Sequence, residues 1–202
     1  EELTDVSLGI DLGLKELAVC SNGKVYKNIN KSYAVRKIEK RLKRLQKQVS
    51  RKYEKNKKGK EYVKTKNIIK LEKQIQQVHR RLANIRNNYL HQTTTNIVKT
   101  KPYRVVIEDL AVSDMMKNKH LSDAIRKQGF SEFRRQLEYK CNFRGIKLVV
   151  ADRFYPSSKS CSQCGKIKKD LKLKDRVYKC SCGLNIDRDL NASINLSKYK
   201  LA

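Results

Sequence analysis

Three acidic residues occupy positions where the strands or the last helix of a mixed fold would place them together. Asp11 lies inside an apolar stretch, Glu108 directly follows the apolar residues 105–107, and Asp189, or alternatively Asp187, begins a final helical segment. A carboxylate in a hydrophobic strand is costly unless a cation meets it. Converging carboxylates suit Mg²⁺ or Mn²⁺, and two such ions about 4 Å apart can activate a water and stabilise a leaving 3′-oxygen. The alternative is that each acid is an isolated strand-end charge.

Four of the six cysteines are clustered late in the chain, separated by two, fifteen and one residues. They are Cys161, Cys164, Cys180 and Cys182. Four thiolates can hold a structural Zn²⁺ at about 2.3 Å, and we favour this over reduced free thiols although the last spacer is short. The surrounding segment, 157–187, is too polar to form a core and is typical of a small knuckle. Cys20 and Cys141 stand alone in apolar contexts, which predicts small buried side chains.

A further charged pair, Asp152 and Arg153, follows a strand predicted over 146–151. Arg153 could contact a scissile phosphate, and Asp152 could supply a fourth carboxylate. An ordinary ion pair in a loop explains the same residues, and we favour that explanation.

The acids need a scaffold, and the hydrophobic pattern predicts alternating strands and helices. Residues 5–28 alternate apolar and polar positions around turn signals, which is typical of a three-stranded meander. Further strands are predicted over 103–110 and 146–151, and helices over 121–144 and 189–200. This order predicts an α/β class, with a mixed sheet covered by helices.

Residues 31–100 differ in character from the rest of the chain. Their apolar residues recur at spacings of three and four, which predicts a long antiparallel helical hairpin with a basic tip. The segment holds 22 Lys and Arg residues against four acids, a net charge of +18. Because purely solvating charges usually mix signs, we predict phosphate contacts rather than an inert coiled coil. The candidate contacts are Arg41, Arg44, Lys47, Arg51, Lys52, Lys57 and Lys58.

The whole chain of 202 residues has a formal net charge of +28. Such an excess calls for a polyanion, so nucleic acid is the first partner class and an anionic membrane the second. The membrane alternative is weak because no stretch approaches the ~20 apolar residues of a spanning helix. The first ten residues also lack the basic start and apolar run of a signal peptide. We therefore expect no membrane partner and an intracellular, nucleoid-associated location.

Four segments, in this order, resemble the TnpB family of transposon-encoded, RNA-guided nucleases related to the type V CRISPR effectors. They are GIDLGLKELAV, VVIEDLAVSDMMKNKHL, DRFYPSSKSCSQCG and CGLNIDRDLNASINL. The resemblance covers nearly the whole chain. It implies a ribonuclease-H-like RuvC nuclease over 1–156 and 184–202, with a helical hairpin insertion over 31–100 and a zinc ribbon over 157–183. It also implies a DNA target that is chosen by a guide RNA.

The same resemblance assigns roles to individual residues. The family's acidic site has the order Asp, Glu, Asp and uses Mg²⁺, and these positions fall on Asp11, Glu108 and Asp189, with Asp187 as the second choice. The zinc ligands fall on the four clustered cysteines. Family members also carry an N-terminal half that holds the guide RNA, and we expect this chain to correspond to the nuclease half.

Two other functions compete with a divalent-metal-dependent DNA endonuclease. A nucleic-acid-binding or regulatory module without cleavage would explain the positive charge and the basic hairpin equally well. A DNA-strand-transfer enzyme has a similar fold, but its acids usually run Asp, Asp, Glu, so the order found here disfavours it.

Overall fold

The computed structural model describes residues 2–172 and 174–200. The strands are β1 (Thr4–Leu12), β2 (Glu16–Cys20), β3 (Val25–Lys27), β4 (Lys57–Lys58), β5 (Glu61–Tyr62), β6 (Pro102–Glu108), β7 (Lys147–Ala151), β8 (Val177–Lys179) and β9 (Asn185–Asp187). The helices are α1 (Tyr33–Lys55), α2 (Lys66–Val98), α3 (Val112–Met116), α4 (Ser122–Gln128), α5 (Phe130–Phe143) and α6 (Arg188–Ser197). Residues 29–89 form one compact unit, and the described residues on either side of them form another.

A five-stranded mixed sheet lies at the centre of the larger unit, in the order β3-β2-β1-β6-β7. β1, β2 and β3 form the predicted antiparallel meander. β6 runs parallel to both β1 and β7, so the carboxyl ends of these three strands meet at one edge. Val105, Val106 and Ile107 of β6 are at most 1% exposed, as expected for a central parallel strand covered on both faces. The predicted α/β class is confirmed.

α6 packs directly on β1 at Gly9. A methyl group at this position would overlap the carbonyl oxygen of Ser193 and the amide nitrogen of Ser197. The Ser197 carbonyl also accepts hydrogen bonds from Ser7 Oγ (2.6 Å) and Arg104 Nη2 (3.1 Å). These contacts fix the last helix against the strand that carries the first acid.

α5 packs against β7 and buries an apolar face that contains Phe133, Leu137 and Cys141. The prediction of one helix over 121–144 is wrong, because α4 ends before Gly129 and α5 begins after it. Gly129 has a φ of 71°, in the left-handed region that interrupts a right-handed helix and favours glycine.

In the unit formed by residues 29–89, α1 and α2 run antiparallel. Arg86 Nη2 lies 2.9 Å from Glu39 Oε1, and Tyr53 Oη donates to Glu72 Oε1 over 2.6 Å, so early residues of α1 lie beside later residues of α2. The buried residues of their interface follow the predicted spacings of three and four: Val35, Leu42, Leu45, Val78 and Leu82. The short strands β4 and β5 pair at the tip between the two helices.

The cysteine-bearing segment contains the antiparallel pair β8 and β9. Contrary to the expectation from its polarity, it has a small core of its own, in which Cys161, Leu171 and Tyr178 are buried. The hydroxyl of Tyr178 donates to the carbonyl oxygens of Lys159 and Lys166. The Tyr178 ring is therefore part of a core that also includes Leu171 and Cys161, and its polar end is hydrogen-bonded.

Candidate active site and metal centre

β1 and β6 bring Asp11 and Glu108 side by side at the carboxyl edge of the sheet. Ile10 and Ile107 are partners in the parallel pairing, and the two acids are the next residues on each strand. The backbone N–H of Leu12 donates to Oε1 of Glu108 over 3.3 Å. This hydrogen bond holds the glutamate side chain against β1.

The start of α6 brings the third acid to the same edge. Oδ1 of Asp187 caps the helix, accepting from the N–H groups of Asp189 (2.9 Å) and Leu190 (3.1 Å). Asp189 lies in the first turn, and its charge acts on both Asp11 and Glu108. Asp11, Glu108 and Asp189 thus act on one another electrostatically at this edge, and Asp187 caps the helix while its charge also raises the pKa of Asp11.

The electrostatics of this edge are unfavourable for three free carboxylates. Burial raises the pKa of Asp11 well above its ordinary value, and the charges of Glu108 and Asp189 raise it further, while Arg188 opposes them. Burial also raises the pKa of Glu108 to about 7, against the effect of the Leu12 hydrogen bond. Because carboxylate oxygens are hard ligands, this donor set fits a divalent cation such as Mg²⁺ or Mn²⁺, whose charge would relieve the repulsion.

Two asparagines of α6, which the sequence analysis did not single out, tie the helix to the cysteine-bearing segment. Asn191 donates to the carbonyl of Ser160 (2.7 Å) and accepts from the N–H of Ser162 (3.0 Å). Asn195 donates to the carbonyls of Ser157 and Ser160, each over 2.7 Å. Both asparagines are at most 5% exposed. They lie four residues apart on a buried helix face that also holds Ser193, so no local pattern of the sequence distinguishes them.

Arg188 makes a second connection between this segment and the acidic edge. Its Nη1 donates to the carbonyl of Lys172 (3.1 Å), and its Nη2 lies 3.4 Å from Oγ of Ser158. The same guanidinium lowers the pKa of Asp11. One cation therefore interacts with both the cysteine-bearing segment and the acids.

The four clustered cysteines converge as their spacing predicts. All four sulfur atoms lie within 4.8 Å of one another, and the Cys161–Cys182 and Cys164–Cys180 pairs are each separated by 3.6 Å. Sulfurs arranged tetrahedrally at about 2.3 Å from a zinc ion would be about 3.8 Å apart, so the cluster fits zinc. The one-residue spacer between the last two cysteines does not prevent convergence. Among the described residues this is the one group of His, Cys, Asp and Glu side chains gathered so closely, and the acidic trio is more open.

The environment of Cys180 favours its thiolate, which is the form that binds zinc. The backbone N–H of Cys182 stabilises the charge and lowers the pKa of the Cys180 thiol to about 6, whereas burial and the hydrogen bonds that it shares with the other three cysteines raise the pKa of the Cys182 thiol to about 12. The solitary Cys20 and Cys141 behave in the opposite way, as predicted: each is 1% exposed, and burial raises the pKa of each thiol to about 12.

Arg153 forms the loop ion pair that the sequence analysis favoured. Its Nη2 lies 2.7 Å from Oδ2 of Asp109, and Arg134 Nη1 lies 3.5 Å from the other oxygen of the same carboxylate. Asp152 accepts a hydrogen bond from the N–H of Phe154 over 2.7 Å, so its side chain shapes the turn.

The predicted phosphate contacts lie on α1 and on the tip that follows it. Arg41, Arg44, Lys47, Arg51, Lys57 and Lys58 are exposed, and Lys52 is half-buried. Arg51 and Lys52, together with Lys55 and Lys70, line a groove of about 660 Å³. A polyanion is the ligand that this surface suits. Within the described residues, no helix has both the length and the apolar content needed to cross a membrane.

These features define a basic, mixed α/β protein with an acidic sheet edge and a cysteine cluster. A solved structure of a CRISPR-Cas12f ternary complex has a similar fold, with a TM-score of 0.71 and 25% identity, over 100% of this chain and 40% of that chain. Residues 1–119 match the OrfB_IS605 family, described as a probable transposase, and residues 130–196 match the Cas12f1-like TNB domain. The chain belongs to the OrfB_IS605 family.

Individual relatives support the resemblance to TnpB proteins. A protein of Streptomyces pristinaespiralis that bears the provisional name RNA-guided DNA endonuclease is 38% identical over 199 residues, which are 98% of this chain and 46% of that protein. The TnpB-like protein L79 of Acanthamoeba polyphaga mimivirus is 31% identical over 139 residues, 65% of this chain and 26% of that protein. The chain thus spans about half the length of the Streptomyces protein.

Proposed function

We propose that this chain is the divalent-metal-dependent DNA endonuclease domain of an RNA-guided nuclease, with a RuvC-type, ribonuclease-H-like arrangement of its sheet. The observation that carries the proposal is the convergence of Asp11, Glu108 and Asp189 at one sheet edge, where burial and mutual repulsion raise the pKa of the first two. A cation bound at an edge of this kind stabilises the folded protein, because its charge offsets the repulsion between the carboxylates. The name of the Streptomyces relative supports a DNA substrate and an RNA guide for the longer protein.

In this proposal the reaction is phosphodiester hydrolysis, and the chain's own residues hold the metal ion and orient the carboxylates that bind it. Asp11, Glu108 and Asp189 would hold Mg²⁺ or Mn²⁺, which when bound supplies an activated water and stabilises the leaving 3′-oxygen, in a two-metal mechanism. The Leu12 N–H keeps the Glu108 carboxylate at β1. The Asp187 cap fixes the first turn of α6, which carries the third ligand.

The cysteine cluster has a structural role in this proposal. A zinc ion held by four thiolates would fix the turns of a ribbon over 157–183, and the buried asparagines Asn191 and Asn195 would transmit that order to α6. The nuclease fold itself would then comprise 1–156 and 184–202, with the basic hairpin over 31–100 as an insertion that contacts the guide RNA or the DNA target.

A nucleic-acid-binding module without cleavage is the second candidate, because the exposed cations of α1 need no acidic site to bind phosphate. It predicts tight binding that falls steeply with salt and no metal-dependent product. The two functions therefore differ in one measurable quantity, the formation of cleaved strands.

The test is the cleavage of labelled single-stranded DNA in Mg²⁺ or Mn²⁺, with EDTA as the metal-free control. The wild type is compared with Asp11→Ala and Glu108→Ala, and with Asp5→Ala, which removes an exposed carboxylate from the same strand as Asp11. We expect cleavage by the wild type and Asp5→Ala only. Equal cleavage by Asp11→Ala would refute the assigned site, and salt-sensitive binding without any cleavage would favour the binding module.

A further inference from the structure

The turn after β7 presents an aromatic ring to solvent beside the acidic edge. Ala151, the last residue of β7, pairs with Glu108 in the parallel register. Phe154 follows three residues later and is 87% exposed. A single exposed apolar side chain is ordinary on a protein surface. The surroundings of this one distinguish it.

The backbone on both sides of Phe154 is held in place. The carboxylate of Asp152 accepts from the N–H of Phe154 (2.7 Å), and the carbonyl of Asp152 accepts from the N–H of Tyr155 (3.0 Å). The Tyr155 hydroxyl in turn donates to the carbonyl of Asn195 on α6 (3.1 Å). The Tyr199 hydroxyl accepts from the N–H of Asp152 over 3.2 Å. The exposed ring therefore projects from a turn that is fixed on both sides.

Guanidinium groups lie next to this turn. Arg153, the preceding residue, and Arg134 of α5 share the carboxylate of Asp109, and each arginine side chain is about half exposed, at 50% and 49%. Both arginines line a cavity of about 410 Å³ whose wall also includes Glu108. Arg153 and Arg134 carry one positive charge more than the Asp109 carboxylate that they share, and the cavity beside them is also lined by Arg135, Glu108 and Glu138.

We propose that Phe154 is a stacking platform for an unpaired base, and that Arg153 and Arg134 contact the phosphates of the same strand. Aromatic faces bind successive bases of single strands, and such sites combine stacking with a positively charged groove along the backbone. The bases of a paired duplex are already stacked on one another, so the platform selects a single strand. The flanking cations favour this occupant over an apolar protein partner. The inference rests on the proposed function, because the cavity ends at the acid assigned there.

The chain offers a matched control at the opposite edge of the sheet. Phe143 is 90% exposed, but it lines a different cavity, together with Leu3 and Lys101. Those residues directly precede β1 and β6, at the amino ends of the parallel strands. Replacing Phe143 removes an equally exposed ring that lies far from the acids along the strand direction.

The experiment measures binding by fluorescence anisotropy in the full chain carrying Asp11→Asn, so that the probes stay intact. The probes are a labelled oligothymidine and an abasic oligonucleotide of the same length and charge. We expect Phe154→Ala to weaken oligothymidine binding roughly 5- to 150-fold and to leave abasic binding unchanged. Phe154→Trp should restore the affinity, and Phe143→Ala should bind both probes as the parent does.

Equal weakening for both probes, or the same loss in Phe143→Ala, would overturn the platform. Cleavage by the chain without the Asp11 substitution separates this result from the fate of the nuclease proposal. If that chain cuts and Phe154→Ala binds like the parent, the platform is wrong and the nuclease proposal stands. If it does not cut while Phe154→Ala loses base-dependent binding, the platform stands and the nuclease proposal fails.

Discussion

Replacing Glu108 by Gln should stabilise the metal-free protein at alkaline pH while abolishing cleavage. Glutamine is nearly isosteric, and its carbonyl oxygen can accept the same hydrogen bond from Leu12. What it removes is the buried charge that Asp189 repels. The substitution therefore separates the cost of the charge from the packing of the side chain.

The magnitude follows from the raised pKa. The pKa of Glu108 rises from 4.5 to about 7, and each pH unit corresponds to about 1.4 kcal/mol, so the charged side chain costs up to about 3 kcal/mol at pH 8. Between these two values the folded state binds more protons than the unfolded state, so stability falls as pH rises. At pH 5 the cost is below about 1 kcal/mol, because the carboxyl is largely protonated in the folded state.

The assay is thermal or urea unfolding in EDTA at pH 8 and pH 5. For a chain of this size, Glu108→Gln should raise Tm by roughly 6–12 °C at pH 8 and by far less at pH 5. Glu138→Gln, which changes an exposed glutamate of α5, should leave Tm nearly unchanged at both values. Mg²⁺ at pH 8 should stabilise the wild type and not Glu108→Gln. A variant no more stable than the wild type at pH 8, or stabilised equally at both pH values, would show that the Glu108 charge does not destabilise the fold.

Three further predictions concern the cysteine cluster, the contact between α6 and β1, and the basic helices. Cys164→Ser should abolish stoichiometric zinc in the purified protein, measured by atomic emission, whereas Cys141→Ser should retain it. Equal zinc content in the two variants would show that the cysteine cluster is not the zinc site. Gly9→Ala should destabilise the protein by about 2 kcal/mol or more in urea unfolding, because the backbone of α6 occupies the space of the added methyl group. Gly13→Ala is the control and should be close to neutral, because its methyl group would meet no atom closer than 3.4 Å. Arg44→Gln should reduce the slope of log K against log salt concentration for DNA binding by about one. An unchanged slope would show that Arg44 does not contact a phosphate.

The sequence alone predicts the elements whose pattern is local. Alternating apolar residues give the meander, the apolar run at 105–107 gives a further strand, and spacings of three and four give the two long helices. It also predicts the convergence of the cysteines, because four sulfurs must approach one another to share an ion. The division at Gly129 is less visible, since only the backbone angle shows that this glycine interrupts the helix. In the same way, the few apolar residues that form the core around Tyr178 are spread through a segment whose average composition is polar.

The contacts that position the candidate site are mostly not local, and this is why the sequence does not reveal them. Gly9 matters because of helix backbone from the other end of the chain. Asn191 and Asn195 matter because carbonyls of the cysteine-bearing segment face them. Residue type alone would have assigned the glycine to a turn and the asparagines to helix ends, where these residues are common.

α6 is the element through which the two candidate metal sites are coupled. Its first turn carries Asp189, its buried face holds the cysteine-bearing segment through Asn191 and Asn195, and its backbone rests on β1 at Gly9. Order at the cysteines therefore restrains the same helix that presents an acid to the sheet edge. Because the acids repel one another, the edge would open if α6 were free to move, and the asparagine hydrogen bonds oppose that opening. A structural ion at one end of this network would thus preorganise the ligands of the other.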